Sequence, residues 1–158
     1  MRVAMVCLGN ICRSPMAAAV ASALVRDAGM DGQVTVESFG TAGYHVGECA
    51  DRQAESALAR NGWPAGGHRA RQLGPADIAA ADLVLCADLA NREEVRRLAP
   101  PGTDLTKIRM LRSYDPQGGE RSEVPDPWGL DDAGFDRALA MIERSCRGLV
   151  AELAARTG

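Results

Sequence analysis

The sequence predicts an α/β fold in which a single-layer, doubly wound, four-stranded parallel sheet carries helices on both faces. Short apolar runs bounded by turn residues alternate along the chain with segments of helical periodicity, which is the pattern of βαβ units. The 158 residues fall in the usual size range of one domain, and no Ser/Gly-rich or Pro-rich linker divides them. We therefore expect residues 1–158 to form a single domain.

The strand predictions rest on short apolar and β-branched runs. The run RVAMVC is almost continuously apolar, as expected for a strand buried on both faces, and VTVES is rich in β-branched residues. The predicted strands are residues 2–7, 34–38, 82–88 and 107–111. The glycine-rich stretch 39–51 fits neither regular structure and predicts a surface loop.

The helix predictions rest on periodicity and on residues that begin or end helices. Pro15 suits the first turn of the first helix and Gly29 its end, while Gly62 and Pro100 end the next two. The assigned helices are residues 15–29, 52–62, 89–100 and 133–156. About five helices in all would cover both faces of such a sheet.

Charge and hydropathy exclude several classes of protein. The net charge of −3 gives no basic face of the kind that nucleic acids or membrane surfaces attract. No apolar stretch is long enough to cross a bilayer, and the N-terminus enters a strand pattern directly, without a signal region. We therefore expect a cytoplasmic protein. Export by a route that needs no signal peptide stays an open alternative.

The five cysteines are odd in number and have neither the spacing of a zinc site nor that of a disulfide framework. Each cysteine is therefore considered separately. Cys49, Cys86 and Cys146 look like loop or packing residues.

The stretch CLGNICRSP, residues 7–15, carries the clearest chemistry. Cys7 closes the first strand, at the edge of a parallel sheet where ligands collect. Gly9 and Asn10 let the backbone curl so that several N–H groups point inward and lead into a helix N-terminus, which makes an anion-binding nest. That field and Arg13 favour a thiolate at Cys7, and the planar fork of Arg13 matches two oxygens of a phosphate. The predicted phosphate-binding residues are Leu8, Gly9, Asn10, Ile11, Cys12, Arg13 and Ser14.

A simpler interpretation of Cys7 is a small hydrophobic residue at the end of a strand, which is the commoner role of such a cysteine. The preceding strand, Gly9, Asn10 and the Arg-Ser-Pro start of a helix together favour the functional interpretation. The Gly-Lys-Ser/Thr ending of a nucleotide-binding Walker loop is absent, as is the dinucleotide fingerprint.

CLGNICRSP resembles the phosphate loop of the low-molecular-weight protein tyrosine phosphatases, and later blocks resemble the same family in the same order. These blocks are HRARQL (68–73), LVLCADLAN (83–91), LRSYDP (111–116) and VPDPWG (124–129). The resemblance implies an enzyme that hydrolyses phosphotyrosine in proteins through a phosphocysteine intermediate, without a metal. Inorganic phosphate and other oxyanions are then expected ligands of the site.

The resemblance also implies the catalytic roles. Cys7 attacks phosphorus, Arg13 holds the equatorial oxygens, and Ser14 stabilises the thiolate. Asp126 donates a proton to the leaving group and later takes one from water. Asp115 also precedes a proline, but it follows the predicted fourth strand and resembles a structural block of the family.

The resemblance places two aromatic residues at the walls of the cleft. Tyr44 and Trp128 would flank the ring of a phosphoaryl group by stacking and burial, with Leu8 and Ile11 as apolar lining. Many relatives carry two consecutive tyrosines where this chain has Trp128 and Gly129, so the wall on that side should be shorter. Threonine tends to replace Ile11 in related arginine phosphatases, which favours phosphotyrosine here.

Other positions resemble residues that support the loop. Asn10 and Ser38 match a hydrogen-bonded pair that holds its shape, and His68 and Asp88 match supporting positions. Phe39 departs from the alanine that is usual beside this serine.

Cys12 has two interpretations. It fills space under the loop, or, as the family implies, it forms a reversible disulfide with Cys7 that protects the nucleophile from further oxidation.

Two other functions stay open at this point. An arsenate reductase of the same fold would need two further cysteines in a relay toward Cys7, and the nearest candidate is Cys86. A non-catalytic phosphoprotein-binding module would need neither a nucleophile nor an acid, yet this chain has both.

Overall fold

Four parallel strands form one sheet in the computed structural model, which describes residues 1–158. The strands are β1 (Arg2–Cys7), β2 (Thr35–Gly40), β3 (Leu83–Cys86) and β4 (Ile108–Met110). Their order in the sheet is β2-β1-β3-β4, and every pairing is parallel. The predicted sheet is confirmed.

Five α-helices connect and cover these strands. They are α1 (Arg13–Asp27), α2 (Arg52–Arg60), α3 (Pro75–Ala80), α4 (Leu89–Leu98) and α5 (Asp132–Thr157), with single 3₁₀ turns at Leu105–Lys107 and Leu111–Tyr114. Helix α3 was not among the assigned helices. The prediction that the loop begins at residue 39 was wrong, because Phe39 and Gly40 pair with Val6 and Cys7 and extend β2 by two residues.

The two faces of the sheet carry separate hydrophobic cores. Val3 and Met5 of β1 face a large core that includes residues of α1, α2 and α5, whereas Ala4 and Val6 face a smaller core against α3 and α4. This alternation along one strand is what the pleat of a doubly wound sheet requires. None of the helices is long and apolar enough to span a bilayer.

The winding reverses direction at β1. The chain adds β2 on one side of β1 and then crosses to add β3 on the other side. In open α/β sheets, ligands bind outside the carboxyl ends of the strands at this switch point. Cys7, the last residue of β1, lies there.

Helix α5 packs so closely against the 3₁₀ turn at Leu111–Tyr114 that Gly148 has no room for a side chain. A Cβ at Gly148 would collide with the backbone oxygen of Tyr114. Gly148→Ala is therefore expected to lower the midpoint of thermal unfolding, with overpacking costing about 1–3 kcal/mol, although alanine is normally the better helix residue. Gly119→Ala, which has open space around it, is the matched control. Equal midpoints for the two variants would contradict this packing.

Candidate active site

A cavity of about 220 Å³ opens at the carboxyl end of β1. Its walls are formed by the loop after β1, the loop after β2 and the segment before α5. The lining residues are Cys7, Leu8, Gly9, Ile11, Cys12, Arg13, Tyr44, His45, Asp126 and Trp128. The structure thus brings the predicted nucleophile, arginine, acid and aromatic walls to one cavity.

The loop between β1 and α1 has the backbone of an anion nest. Asn10 adopts a left-handed conformation (φ 58°) and is the one non-glycine residue of the chain with a positive φ. The N–H groups of residues 8–12 donate to no backbone carbonyl. Backbone N–H groups without an internal partner, next to a helix N-terminus, are suited to bind an anion.

Side chains hold this loop from behind rather than from the cavity. The Asn10 amide donates to Ser14 Oγ (2.8 Å) and Ser38 Oγ (3.0 Å), and Asn10 Oδ1 accepts from the Arg71 N–H (2.9 Å). Asn10 and Ser14 are buried and do not line the cavity. The predicted Asn10–Ser38 hydrogen bond is present.

His68 closes the outer side of the loop by donating from Nε2 to the Asn10 carbonyl at 2.6 Å. Burial lowers the pKa of His68, the hydrogen bond to Asn10 opposes this, and the charge of Arg71 adds to the lowering. A neutral ring with its hydrogen on Nε2 satisfies that carbonyl at neutral pH.

Gly40, the last residue of β2, lies directly against the loop after β1. A Cβ at this position would lie 2.7 Å from the Leu8 carbonyl oxygen and 3.0 Å from the Asn10 nitrogen. Only glycine lets β2 run this close to the backbone of the loop.

Cys7 is buried at the floor of the cavity, with Sγ 3.0 Å from Ser14 Oγ. The Ser14 hydroxyl also lies 3.2 Å from the Phe39 carbonyl. Because Asn10 donates to Ser14 Oγ, the single hydroxyl hydrogen is left to point at either the sulfur or the carbonyl. A negatively charged sulfur is the stronger acceptor of the two.

Arg13 is almost completely buried, and its guanidinium is held from the protein side. Nη1 donates to Asp88 Oδ2 (2.7 Å) and to the Val124 carbonyl (3.0 Å), while Nη2 lies 3.7 Å from Asp126 Oδ2. Burial alone would lower the pKa of Arg13, but the Asp88 hydrogen bond and the charges of Cys7, Asp126 and Asp88 outweigh it, so the pKa is raised. A permanent positive charge therefore sits beside the nest.

The two Asp-Pro aspartates occupy opposite environments. Asp126 lines the cavity, and its side chain is 46% exposed. The Asp115 side chain is fully buried and is paired with Arg112 and Arg144, each at 3.0 Å. Burial would raise the pKa of Asp115, but the hydrogen bonds from Arg144, Gln117 and Arg112 lower it. Asp115 thus holds α5 to the turn after β4. Asp126 instead faces the cavity, and its Oδ1 accepts a hydrogen bond from the Trp128 N–H (3.1 Å).

Tyr44 and Trp128 both line the cavity, and both side chains are largely exposed to solvent. Leu8 and Ile11 add apolar surface between them. His45, next to Tyr44, also lines the cavity and was not singled out in the sequence. The only feature of the sequence that could have pointed to His45 is Glu48, a possible partner for its side chain three residues later in the same glycine-rich loop.

The remaining cysteines differ sharply in surroundings. Cys12 lines the cavity, and burial chiefly raises the pKa of its thiol, with Asp51, Cys7 and Asp126 adding to the effect. Burial also raises the pKa of Cys86 and of Cys146 to about 12. Cys49 is exposed in the loop between β2 and α2, and its sulfur accepts a hydrogen bond from the Arg69 guanidinium. All five cysteines are free thiols.

A thiol and a guanidinium beside an unpaired amide nest, with a carboxyl at the mouth, define an α/β protein of the cysteine-dependent phosphatase class. The chain belongs to the low molecular weight phosphotyrosine protein phosphatase family, whose model matches residues 2–157. The predicted family and fold are confirmed, and the chain is accordingly a protein-tyrosine phosphatase, a hydrolase.

Individual comparisons agree over nearly the full length. The chain is 46% identical to a low molecular weight protein-tyrosine-phosphatase of Streptomyces coelicolor, over 95% of this chain and 92% of that protein. It is 41% identical to the low molecular weight protein-tyrosine phosphatase A of Mycobacterium tuberculosis, over 100% of this chain and 96% of that protein. A crystal structure of a protein tyrosine phosphatase from Entamoeba histolytica, with Hepes in its active site, superposes on this chain with a TM-score of 0.92 at 28% sequence identity. The superposition covers 100% of this chain and 99% of the Entamoeba chain.

Proposed function

We propose that this chain hydrolyses phosphotyrosine in proteins with Cys7 as nucleophile, Arg13 as phosphate ligand and Asp126 as general acid and base. The observation that carries the proposal is the single cavity that Cys7, Arg13 and Asp126 line around the unpaired N–H groups of residues 8–12. Inorganic phosphate and related oxyanions would occupy the same nest, and the Hepes of the Entamoeba structure, a sulfonate, supports this.

The first step forms a bond between Cys7 Sγ and phosphorus while the bond from phosphorus to the phenolic oxygen breaks. Asp126, at the mouth of the cavity, donates its proton to the departing oxygen, so that tyrosine leaves as a neutral phenol. The N–H groups of the loop and the Arg13 fork hold the three equatorial oxygens, whose negative charge persists through a loose transition state.

The second step returns the enzyme to its starting state. Asp126, now a carboxylate, takes a proton from a water molecule as that water attacks phosphorus, and the bond from sulfur to phosphorus breaks. Inorganic phosphate leaves, and Cys7 is again a thiolate, which Ser14 stabilises. No metal ion and no cofactor takes part in this scheme.

The Arg13→Lys variant tests the planar fork. Lysine keeps the positive charge but presents a single point donor, so it loses bidentate contact with phosphate. Charge-assisted hydrogen bonds are worth about 1.5–3 kcal/mol each, so kcat/KM for p-nitrophenyl phosphate should fall by roughly 10- to 150-fold for each bond lost. Inorganic phosphate should bind more weakly in calorimetry.

The control for Arg13→Lys is Arg97→Lys, a surface arginine paired only with Glu94. It should keep the wild-type kcat/KM. Wild-type phosphate affinity and turnover in Arg13→Lys would show that the fork does not hold the phosphate.

The shape of the cavity supports an aromatic substrate. Tyr44 and Trp128 can flank a flat ring, and Leu8 and Ile11 cover its edges. Phosphotyrosine, phosphoserine, phosphoarginine and arsenate, compared as substrates at equal concentration, should give phosphotyrosine the highest kcat/KM. A clear preference for phosphoserine, phosphoarginine or arsenate would overturn the substrate assignment.

The structure gives no support to an arsenate reductase. Cys86 is completely buried in the core on the face of the sheet opposite to Cys7. Its thiol cannot reach the cavity without unfolding β3, so a relay of thiols toward Cys7 would lack this member.

Cys12 supports a redox function, because it lines the same cavity as Cys7. Peroxide would oxidise the Cys7 thiolate to a sulfenic acid, and attack by the Cys12 thiol would expel water and form a disulfide. Wild-type activity lost to excess peroxide should return on adding dithiothreitol, whereas in Cys12→Ala a second equivalent of peroxide should oxidise the Cys7 sulfenic acid to a sulfinic acid, which dithiothreitol does not reduce. Equal recovery in both proteins would leave Cys12 as a packing residue.

We also propose that residues 1–158 act as one domain in a reducing compartment such as the cytoplasm. A single sheet takes strands from both halves of the chain, and its larger core takes residues from β1 through α5. The five free cysteines fit a compartment that keeps thiols reduced.

A further inference from the structure

Asp126 lies in a short segment, residues 125–130, that precedes α5 and forms one wall of the cavity. We refer to it as the acid segment. Its internal hydrogen bonds are local: the Trp128 N–H donates to Asp126 Oδ1 (3.1 Å), and the Leu130 N–H donates to the Pro127 carbonyl (2.9 Å). These bonds shape the acid segment as a turn, but they do not attach it to the rest of the chain.

The two ends of the acid segment are attached differently. Val124, just before it, is fully buried; its N–H donates to the Ala87 carbonyl (2.8 Å), and its carbonyl accepts from Arg13 (3.0 Å). At the other end, Nε2 of the Gln53 side chain donates to the Leu130 carbonyl at 3.0 Å. This is the single hydrogen bond between the acid segment and a distant part of the chain.

Two other contacts of the acid segment fix it less firmly. The Pro127 ring is buried, but apolar packing is non-directional and does not set the direction of the backbone. Asp126 Oδ2 lies 3.7 Å from Arg13 Nη2, on the part of the guanidinium that would turn to a bound phosphate. The Gln53 amide is therefore the directional contact that remains on the acid segment when the site is occupied.

Helix α2 connects Gln53 to the phosphate loop. Asp51, the N-cap of α2, donates its N–H to the Ile11 carbonyl (2.8 Å), and Asp51 Oδ1 accepts from the Gln53 N–H (2.8 Å). The start of α2 is thus hydrogen-bonded to the loop that forms the anion nest and, through the Gln53 side chain, to the acid segment on the other wall of the cavity.

We propose that Gln53 is a positioning residue that sets the place of the Asp126 carboxyl relative to the phosphate loop. The proposal rests on the proposed function, because it takes Asp126 as the general acid. Proton transfer requires that the carboxyl lies within hydrogen-bond reach of the departing oxygen, and small displacements of a reacting group are costly. Gln53 does not line the cavity, so it acts through the backbone of the acid segment.

Two substitutions separate the donor from the bulk of the Gln53 side chain. Gln53→Met keeps the length and the helix propensity of glutamine but has no donor. Gln53→Lys replaces the amide by an ammonium group that can donate to the Leu130 carbonyl.

The measured quantity is kcat/KM for phenyl phosphate divided by kcat/KM for p-nitrophenyl phosphate. Phenolate needs a proton on leaving far more than p-nitrophenolate does, so this ratio reports how well the general acid is placed. Equal effects on phosphate binding cancel in it.

We expect Gln53→Met to lower this ratio by roughly 2- to 12-fold, the factor that corresponds to one typical net hydrogen bond. Gln53→Lys should restore most of the ratio, because the donor is present again. The affinity of Gln53→Met for inorganic phosphate, measured by calorimetry, should equal that of the wild type, since the nest and Arg13 are unaffected.

Gln117→Met is the matched control. Gln117 is exposed, and its hydrogen bonds with Asp115 and Arg112 are made by its backbone, so this variant should keep the wild-type ratio. A merely structural role of Gln53 would lower the midpoint of thermal unfolding and slow both substrates alike, which would leave the ratio at its wild-type value and contradict the proposal.

The proposal also fails if Gln53→Lys lowers the ratio as far as Gln53→Met does. If Asp126→Asn lowers the ratio in the same assay, such a failure leaves the proposed function intact. If Asp126→Asn keeps the wild-type ratio, Asp126 is not the general acid, and the proposed function loses its acid together with this inference.

Discussion

Replacing Cys7 by serine is expected to reduce turnover of p-nitrophenyl phosphate to the background rate while leaving phosphate binding largely intact. A serine hydroxyl at this position lacks a hydrogen-bonded base that would ionise it, because the side chain that hydrogen-bonds to the sulfur is Ser14, which is not a base. The N–H groups of residues 8–12 and the Arg13 guanidinium are unaffected, so calorimetry should find phosphate binding close to that of the wild type.

The matched control for this experiment is Cys49→Ser, which changes an exposed thiol in the loop after β2. That variant should keep the wild-type rate, which separates the effect of the nucleophile from the effect of removing any thiol. Appreciable turnover by Cys7→Ser would rule out the cysteine mechanism.

Replacing Asp126 by asparagine is expected to slow hydrolysis of aryl phosphates by about 10²- to 10⁴-fold, the usual contribution of a positioned general acid. The amide keeps the shape of the carboxyl but cannot donate a proton to the leaving group. The loss should be larger for phenyl phosphate than for p-nitrophenyl phosphate, because p-nitrophenolate leaves readily without a proton. Steady-state rates with a series of substituted phenyl phosphates measure this dependence.

Two aspartate variants serve as controls for Asp126→Asn. Asp136→Asn removes an exposed carboxylate that pairs with Arg60 and should leave the rates unchanged. Asp115→Asn removes the buried partner of Arg112 and Arg144, so it should lower the unfolding midpoint without changing the dependence on the leaving group. If Asp126→Asn keeps the wild-type rate with phenyl phosphate, the general acid is another residue.

The elements that the sequence predicted best are those whose own composition decides them. β1 is a run of apolar residues buried on both faces of a sheet, so its end at Cys7 could be read directly from RVAMVC. Asn10 is a residue type that tolerates a left-handed backbone, and the structure places it there. The order of Gly9, Asn10 and Arg13 after a strand therefore predicted the nest.

The elements that were missed depend on contacts between distant parts of the chain. β2 extends to Gly40 because Phe39 and Gly40 pair with Val6 and Cys7 of β1, whereas local composition alone favoured a loop there. Helix α3 has only six residues, too few for periodicity to reveal it, although Pro75 follows Gly74 at its start. In both places tertiary packing decides the local structure.

In the candidate active site, too, the sequence indicated the residue types but not the contacts between distant parts of the chain. The resemblance identified Cys7, Arg13 and Asp126 as chemistry-bearing residues, and it marked Asp88 as a supporting position. It did not indicate that Asp88 and the Val124 carbonyl share one nitrogen of Arg13 and leave the rest of the fork toward the cavity. His45 and Glu48 escaped notice because their pairing depends on a turn in a glycine-rich loop, where no periodic pattern brings side chains together.

The most direct test of the account is to stop the reaction in acid during steady turnover of p-nitrophenyl phosphate and to locate the phosphoryl group by peptide mass spectrometry. We predict a phosphoryl group on the thiol of Cys7, formed by the wild type and absent from Cys7→Ser. A phosphoryl group on another residue, or release of the phenol with no phosphorylated enzyme at any quenching time while the substrate is being consumed, would contradict the mechanism.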